Sequence, residues 1–130
     1  MKWFKVGLNK PEPYEPVLCY TPGDRPFLSV QEGYMGRNRK WYVGGLKRED
    51  GAVTHWAKMP TFQEMDWFDD AESSNKPKFF GPVLVYMPDE QMPVRQGLIG
   101  VSGKWYAGGK TRDDEEVTHW AKLPSFGGDN

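Results

Sequence analysis

The sequence predicts an all-β protein made of two tandem repeats. Residues 53–60 (VTHWAKMP) return sixty-four positions later as residues 117–124 (VTHWAKLP). Short runs of β-branched and aromatic residues alternate with turn-forming residues, and the 15 glycines and 11 prolines disfavour helices. Four such runs in each unit of about 60 residues indicate a small SH3-like barrel or a strongly twisted sheet.

The repeat extends well beyond this motif. Between residues 40–62 and 104–126, 15 of 23 positions are identical, which indicates common descent. We place repeat 1 at residues 1–64 and repeat 2 at residues 65–130. Because a unit of about 60 residues buries too little surface to be stable alone, we expect one bilobal domain with a shared core. The repeats are expected to pack about a pseudo-two-fold axis, with a pocket in the seam between them.

Each repeat shows the same order of elements. In repeat 1 an opening arm over residues 1–13 precedes strands predicted at 16–20, 28–37, 41–46 and 53–58. The turn Thr21-Pro22-Gly23-Asp24 and the polar turn at 47–51 separate them. Residues 63–78 are interpreted as a linker plus the second opening arm, after which the order repeats.

Composition excludes several classes of protein. With 17 basic and 18 acidic residues the net charge is −1, so the chain lacks the basic surface that grips long nucleic acids. The sequence has no secretion signal and no apolar run that could span a membrane, which favours a cytoplasmic protein. The single cysteine, Cys19, rules out an intramolecular disulfide and indicates a reducing compartment. No cofactor and no metal site is predicted.

The motifs also carry a resemblance. An opening tryptophan, the PVLVY strand at 82–86, a Trp-Tyr strand and the ending at 117–124 together resemble a family of short, uncharacterised bacteriophage and prophage proteins. In that family the unit usually occurs once and ends in further prolines. Here it occurs twice, and Thr61-Phe62 and Ser125-Phe126 replace those prolines. The resemblance implies a phage context and no established activity.

Two orientations are possible for the side chains of the repeated His-Trp pair. Side chains alternate along a strand, so His55 and Trp56 point to opposite faces, as do His119 and Trp120. Tryptophan usually fills the core of a protein this small, which would turn the histidines outward or into the seam. The reverse assignment stays open at this point.

The adjacent pairs Trp41-Tyr42 and Trp105-Tyr106 predict a binding surface. Neighbouring aromatic residues on a strand face opposite ways, so one of each pair is available for stacking beside a lysine and a Gly-Gly step. Basic residues nearby would neutralise phosphate groups. The predicted ligand-binding residues are Trp41, Tyr42, Arg48, Lys58, Trp105, Tyr106, Arg112 and Lys122.

Catalysis is not predicted. One histidine per repeat is reminiscent of two-histidine esterases that cleave cyclic phosphates, but those enzymes carry a hydroxyl residue two positions after each histidine. Here these positions are Ala57 and Ala121. No nucleophile lies at a useful spacing, so no catalytic residue is assigned.

Two functional hypotheses follow. In the first, a non-enzymatic phage counter-defence module binds and sequesters a small nucleotide-type immune signal in the seam. In the second, the aromatic surface docks on a host defence protein as an inhibitor or adaptor, since tryptophan, tyrosine and arginine dominate such contacts. Neither hypothesis involves a membrane or a long nucleic acid, and both are compatible with a homo-oligomer.

Overall fold

The computed structural model of this chain describes residues 1–69, 76–77, 81–113 and 115–127. They form two six-stranded antiparallel sheets, which confirms the all-β prediction. The chain divides into two compact units. The first unit combines Met1–Met59 with the residues from Pro124 onward, and the second is Pro60–Leu123. The boundaries therefore fall a few residues before those drawn from the sequence, and the end of the chain belongs to the first unit.

The two sheets share one topology. In the first unit the strands lie in the order β1-β6-β2-β3-β4-β5, and in the second in the order β7-β12-β8-β9-β10-β11. The strands of the first sheet are β1 (Phe4–Lys5), β2 (Val17–Tyr20), β3 (Val30–Met35), β4 (Trp41–Val43), β5 (Leu46–Lys47) and β6 (His55–Lys58). The strands of the second sheet are β7 (Phe68–Asp69), β8 (Val83–Tyr86), β9 (Val94–Ile99), β10 (Trp105–Ala107), β11 (Lys110–Arg112) and β12 (His119–Lys122). In the described part of the chain, two short 3₁₀ turns lie at Pro26–Leu28 and Phe62–Glu64.

Within the described residues, neither sheet closes into a barrel, because the first and last strands in each order do not pair with each other. Of the two architectures expected from the sequence, the open sheet is the one adopted. No helix in the described part of the chain is long and apolar enough to cross a membrane.

The predicted strand at 41–46 is instead a hairpin. β4 ends at Val43, Gly44 and Gly45 form the turn, and Val43 pairs with Leu46 across it. Both glycines have positive φ angles, +65° and +78°, which a two-residue type I′ turn requires. Gly108 and Gly109 make the same turn between β10 and β11. The Gly-Gly step thus reverses the chain, and each sheet gains a strand that the sequence reading lacked.

Each unit has its own apolar core against one face of its sheet. The first core contains Val17, Cys19, Met35, Trp41, Val43, Val53 and Trp56. The second contains Val83, Val85, Met87, Ile99, Trp105, Ala107, Val117 and Trp120. The open question about the His-Trp pairs is thereby answered: the tryptophans face the core, and alternation turns His55 and His119 to the opposite face.

Glycine lets two strands approach closely at one point in each core. A Cβ atom added to Gly33 in β3 would lie 2.6 Å from the carbonyl oxygen of Tyr42 and 2.8 Å from the Cys19 sulfur. At Gly97 in β9 the same atom would lie 2.8 Å from the carbonyl oxygen of Tyr106. Any side chain at these positions would push β3 from β4, or β9 from β10.

Candidate functional site

The tryptophans predicted to stack on a ligand lie in the cores. Trp41 is 8% exposed and Trp105 is 2% exposed. Among the described residues, the indole nitrogen of Trp41 is buried without a hydrogen-bond partner. Both rings therefore belong to the core packing, because removing such a large apolar surface from water is strongly favourable. The stacking surface expected from the Trp-Tyr pairs is therefore reduced to their tyrosines.

Tyr42 belongs to a row of tyrosines on the face of the first sheet that points away from the core. It lies directly opposite Tyr34 of β3 and opposite Lys47 of β5. The Tyr34 and Tyr42 rings are stacked, with centroids 5.1 Å apart and planes 14° apart. Tyr14 extends the row, since its ring centroid lies 5.8 Å from that of Tyr34. We call Tyr14, Tyr34 and Tyr42 the tyrosine row.

The tyrosine row is accessible to solvent. Tyr14 is 57% exposed and Tyr34 is 38% exposed. Tyr14 adopts a φ of +64°, which bulky residues rarely do, and its amide donates a hydrogen bond to the Met35 carbonyl at 2.8 Å. That bond fixes the loop at the end of β3 and holds Tyr14 beside Tyr34. Uncommon backbone angles of this kind persist where the surroundings enforce them, often at binding sites.

Polar contacts fix one end of the row. The Asn38 side-chain amide donates to the Tyr42 hydroxyl at 3.0 Å, and the Lys40 backbone amide donates to the Asn38 side-chain oxygen at 3.0 Å. The Lys40 ammonium forms an ion pair with Asp50, also at 3.0 Å. Lys47 lines a shallow cavity of about 250 Å³ together with Lys40, Arg48, Glu49 and Asp50. A rim of mixed charge, in which Lys47 lies opposite Tyr42, therefore adjoins the stacked aromatic pair.

The second unit carries a reduced version of the row. Tyr106 is 41% exposed, but the residues opposite it are Leu98 and Thr111. Where the first unit has Tyr-Tyr-Lys across β3, β4 and β5, the second has Leu-Tyr-Thr across β9, β10 and β11. The two units thus present different surfaces at equivalent positions, and only the first carries a stacked pair there.

The arginines predicted to bind phosphate are engaged within their own units. Arg48 donates to the Val43 carbonyl at 3.1 Å and to both carboxylate oxygens of Asp24 at 3.0 Å. Arg112, which is buried, donates to the Ala107 carbonyl at 2.9 Å and pairs with Glu90. Arg48 thus links the Gly44-Gly45 hairpin to the loop between β2 and β3. Arg112 links the Gly108-Gly109 hairpin to the loop between β8 and β9.

This arrangement changes the interpretation of Arg48 and Arg112. A ligand phosphate would have to displace a carboxylate already held in good geometry, so the two arginines act as structural ties. A cavity of about 280 Å³ beside Arg112 is lined by Met87, Glu90, Gln91, Met92 and Arg95.

The lysines at the ends of β6 and β12 are also remote from the tyrosine row. Lys58 pairs in register with Val17, and Lys122 with Val83, so both share the face that carries the core. Both side chains are exposed at the strand ends, and the Lys58 ammonium lies 3.8 Å from Glu15. The sequence analysis placed these lysines in one binding site with Tyr42 and Tyr106. The strand register instead places the lysines on the opposite face of the sheet from the tyrosines.

Each histidine lies in a cage of aromatic rings on the face of its sheet that is opposite the core. The first cage consists of Trp3, Tyr20 and His55, and it holds the ring of Phe126. The ring centroids of these three residues lie 5.3, 4.0 and 4.6 Å from that of Phe126. His55 Nδ1 also lies 2.9 Å from the Thr54 hydroxyl oxygen.

The second cage consists of the equivalent residues Trp67, Tyr86 and His119, and it holds Phe62 at centroid distances of 5.3, 4.2 and 5.0 Å. His119 Nδ1 likewise lies 2.9 Å from the Thr118 hydroxyl oxygen. The sequence analysis identified the replacement of prolines by Thr61-Phe62 and Ser125-Phe126. It did not predict that each phenylalanine packs in an aromatic cage. The only signal was that the phenylalanine is identical in both repeats.

No family model, no curated protein and no solved structure matches the chain. Within the described residues, no group of three or more histidine, cysteine or carboxylate side chains is placed to hold a metal ion.

Proposed function

We propose that this protein is a non-enzymatic binding module that stacks a small nucleotide-type ligand on the tyrosine row of its first unit. The observation that carries the proposal is the stacked pair of exposed Tyr34 and half-buried Tyr42, with Lys47 in the same register. Aromatic rings on an open sheet face are a common platform for bases, because every base offers a π surface.

The chemistry of the row suits such a ligand. Stacking on tyrosine contributes about 1–3 kcal/mol per base, and Lys47 supplies a positive charge for a phosphate at the edge of the row. Tyr14, Tyr34 and Tyr42 offer area for about one or two bases. A dinucleotide or a nucleotide with a second ring system is therefore the size of ligand we expect. A long nucleic acid remains disfavoured by the net charge of −1.

The histidines support binding rather than cleavage. In each cage the imidazole ring packs against a phenylalanine ring, tilted by 46° in the first cage and edge-on in the second, and the neighbouring threonine hydroxyl lies within hydrogen-bond distance of Nδ1. A general base needs its free nitrogen directed at a substrate proton. In the proposal the histidines are packing residues, and the bound ligand leaves unchanged.

In this proposal the protein sequesters a nucleotide-type immune signal of the host cell. The resemblance of the repeat to short phage proteins supports that role. This role places the protein in the host cytoplasm. It requires no partner protein and no cofactor.

The first test is a panel of nucleotides. The full chain is heated with nucleoside monophosphates, cyclic mono- and dinucleotides and ADP-ribose-type compounds, and the melting temperature is recorded. We expect at least one compound to raise it, and chromatography after heat release should return that compound intact. A cleaved product would overturn the non-enzymatic proposal. If no compound raises the melting temperature, docking of the same tyrosines on a host protein becomes the leading explanation.

A further inference from the structure

The turn that joins β3 to β4 carries three cationic residues. It comprises residues 36–40 (GRNRK), and we call it the arginine turn. Two backbone hydrogen bonds close it, from the Arg39 amide to the Gly36 carbonyl at 3.0 Å and from the Gly36 amide to the Lys40 carbonyl at 2.9 Å. Arg37 and Arg39 are exposed, and within the described part of the chain neither side chain forms an ion pair or a hydrogen bond. These two guanidinium groups are therefore free to bind a ligand.

The arginine turn is fixed to the tyrosine row. Asn38, which lies between the two arginines, donates to the Tyr42 hydroxyl at 3.0 Å and accepts from the Lys40 amide at 3.0 Å. Gly36 lies against the same ring, since a Cβ atom added there would lie 3.1 Å from Tyr42 Cε2. The arginines thus flank a side chain that touches the end of the stacked pair.

The equivalent turn of the second unit shows what the backbone alone favours. Residues 100–104 (GVSGK) form the same two hydrogen bonds, from Gly103 to Gly100 at 2.9 Å and from Gly100 to Lys104 at 3.0 Å. Gly103 has a φ of +82°, and Arg39 at the same position has a φ of +65°. Glycine adopts this left-handed conformation without strain, whereas a residue with a side chain is strained there. The first unit thus carries an arginine where the turn favours glycine.

The arginine turn and the stacked pair occur in the same unit. The second unit has Leu98 where the first has Tyr34, and Val101 and Gly103 stand at the positions of the two arginines. An aromatic ligand that carries a negative charge needs both features, because the rings stack on its base and the guanidinium groups neutralise its phosphate. Their joint occurrence therefore favours one site with two parts.

We propose that the arginine turn is the phosphate subsite of the ligand-binding site, where Arg37 and Arg39 hold a phosphate group while the base stacks on the tyrosine row. The inference rests on the proposed function and narrows the ligand to a phosphorylated nucleotide, which binds more tightly than its nucleoside. A planar guanidinium donates two parallel N–H bonds to phosphate oxygens, so arginine suits this role better than lysine. The sequence analysis gave the role to Arg48 and Arg112, whose guanidinium groups are already held by carboxylates.

Inorganic pyrophosphate tests the subsite without any stacking. It is titrated into the full unaltered chain, and the NMR signals of the arginine Nε–H groups are followed. We expect the signals of Arg37 and Arg39 to shift until they saturate, with a Kd on the order of millimolar. Signals that do not shift, or that shift no more than the signal of the exposed Arg25, would overturn the proposal.

A double variant copies the second unit at the two arginine positions. Arg37→Val and Arg39→Gly leave Asn38 and its contacts in place. We expect this variant to lose the pyrophosphate response and to melt no lower than the unaltered chain, because glycine relieves the left-handed strain. The charge-matched control carries Arg25→Gln and Lys110→Gln, which remove two exposed cations elsewhere, and it should keep the response. A response that survives in the double variant, or that the control loses equally, would overturn the proposal.

Nucleotides separate a failure of this inference from a failure of the proposed function. The common ribonucleoside monophosphates and their nucleosides are titrated into the unaltered chain, followed by the ring-proton signals of Tyr34 and Tyr42. We expect the best-bound monophosphate to exceed its nucleoside at least about tenfold in affinity, and the double variant to bring the two near equality. Equal affinities in the unaltered chain would overturn the phosphate subsite and leave the stacking function standing. A pyrophosphate response without binding of any nucleotide would support the subsite and overturn the stacking function.

Discussion

Phe126 stacks on Tyr20 with ring centroids 4.0 Å apart and planes 10° apart, although the two residues lie at opposite ends of the sequence. Through this contact residues 124–127 join the compact unit formed by Met1–Met59. A compact unit therefore does not correspond to a sequence repeat. Each unit consists of one sheet plus the phenylalanine that follows the other sheet in the chain.

Removal of this contact should weaken the first unit. We expect Phe126→Ala to lower the free energy of unfolding by about 1–3 kcal/mol, because the half-buried ring loses three aromatic partners. Phe126→Leu keeps apolar volume without the stacked ring and should cost less. Urea denaturation followed by tryptophan fluorescence measures both. If the alanine variant is as stable as the unaltered chain, the Phe126 ring does not hold the unit together.

The arginines test a structural role against a ligand-binding role. Arg112→Ala removes the donor to the Ala107 carbonyl and leaves Glu90 without its partner. We expect a loss of about 2–3 kcal/mol, because the buried Arg112 guanidinium anchors the hairpin, whereas the Glu90 carboxylate left behind keeps some contact with water. Arg48→Ala should cost less, since Arg48 is more exposed than Arg112. Chemical denaturation of both variants is the measurement. A normal stability with weakened nucleotide binding would restore the phosphate-binding interpretation.

The all-β fold could be predicted from the sequence because the duplication shows the same strand pattern twice. Identical positions such as those of the His-Trp pairs must occupy equivalent surroundings, and short runs bounded by glycine and proline indicate strands. The strand at 41–46 was mispredicted for a physical reason. A Gly-Gly step between Val43 and Leu46 can continue a strand or reverse it, and only the paired φ angles of the turn distinguish the two.

The site was harder to predict, because it depends on contacts between residues distant in sequence. Alternation correctly separated Trp41 from Tyr42 but could not say which one faces the core. The pairing of Tyr34 with Tyr42 requires the register of β3 and β4, which local patterns do not specify. Likewise, a phenylalanine after a strand gives no indication that its cage belongs to the other repeat.

The single cysteine offers a test of core packing. Burial raises the pKa of the Cys19 thiol, and the nearby Glu32 carboxylate adds to the effect while Arg48 opposes it. We expect the folded chain to resist alkylation and the urea-unfolded chain to react completely. Fast alkylation under native conditions would contradict the burial of Cys19.

The same thiol predicts a pH dependence. The folded chain binds the thiol proton more tightly than the unfolded chain does, so the contribution of Cys19 is complete below the ordinary pKa of 9.0 and is lost as the pH rises above it. Cys19→Val introduces the residue that the second repeat carries at Val85. We expect stability curves from pH 8 to about 11 to fall less steeply for this variant than for the unaltered chain. Identical slopes would contradict the assignment.

Close strand packing predicts intolerance at Gly33. A Cβ atom there would meet the Tyr42 carbonyl and the Cys19 sulfur at under 3 Å, so Gly33→Ala should destabilise the protein by about 1–3 kcal/mol through overpacking. Gly23→Ala is the control, because the space around Gly23 is open and its backbone suits any residue. Thermal melts of the two variants should differ clearly. Equal melting temperatures would show that β3 and β4 can separate without cost.

The proposed function depends most directly on the tyrosine row, and calorimetric titration tests it. The compound that raises the melting temperature most is titrated into the unaltered chain and into a chain carrying Tyr34→Leu and Lys47→Thr, which copy Leu98 and Thr111 of the second unit. We expect one site per chain, and a loss of about ten- to hundredfold in affinity for the double variant without a loss of fold. Unchanged affinity in that variant would contradict the claim that the row binds the ligand.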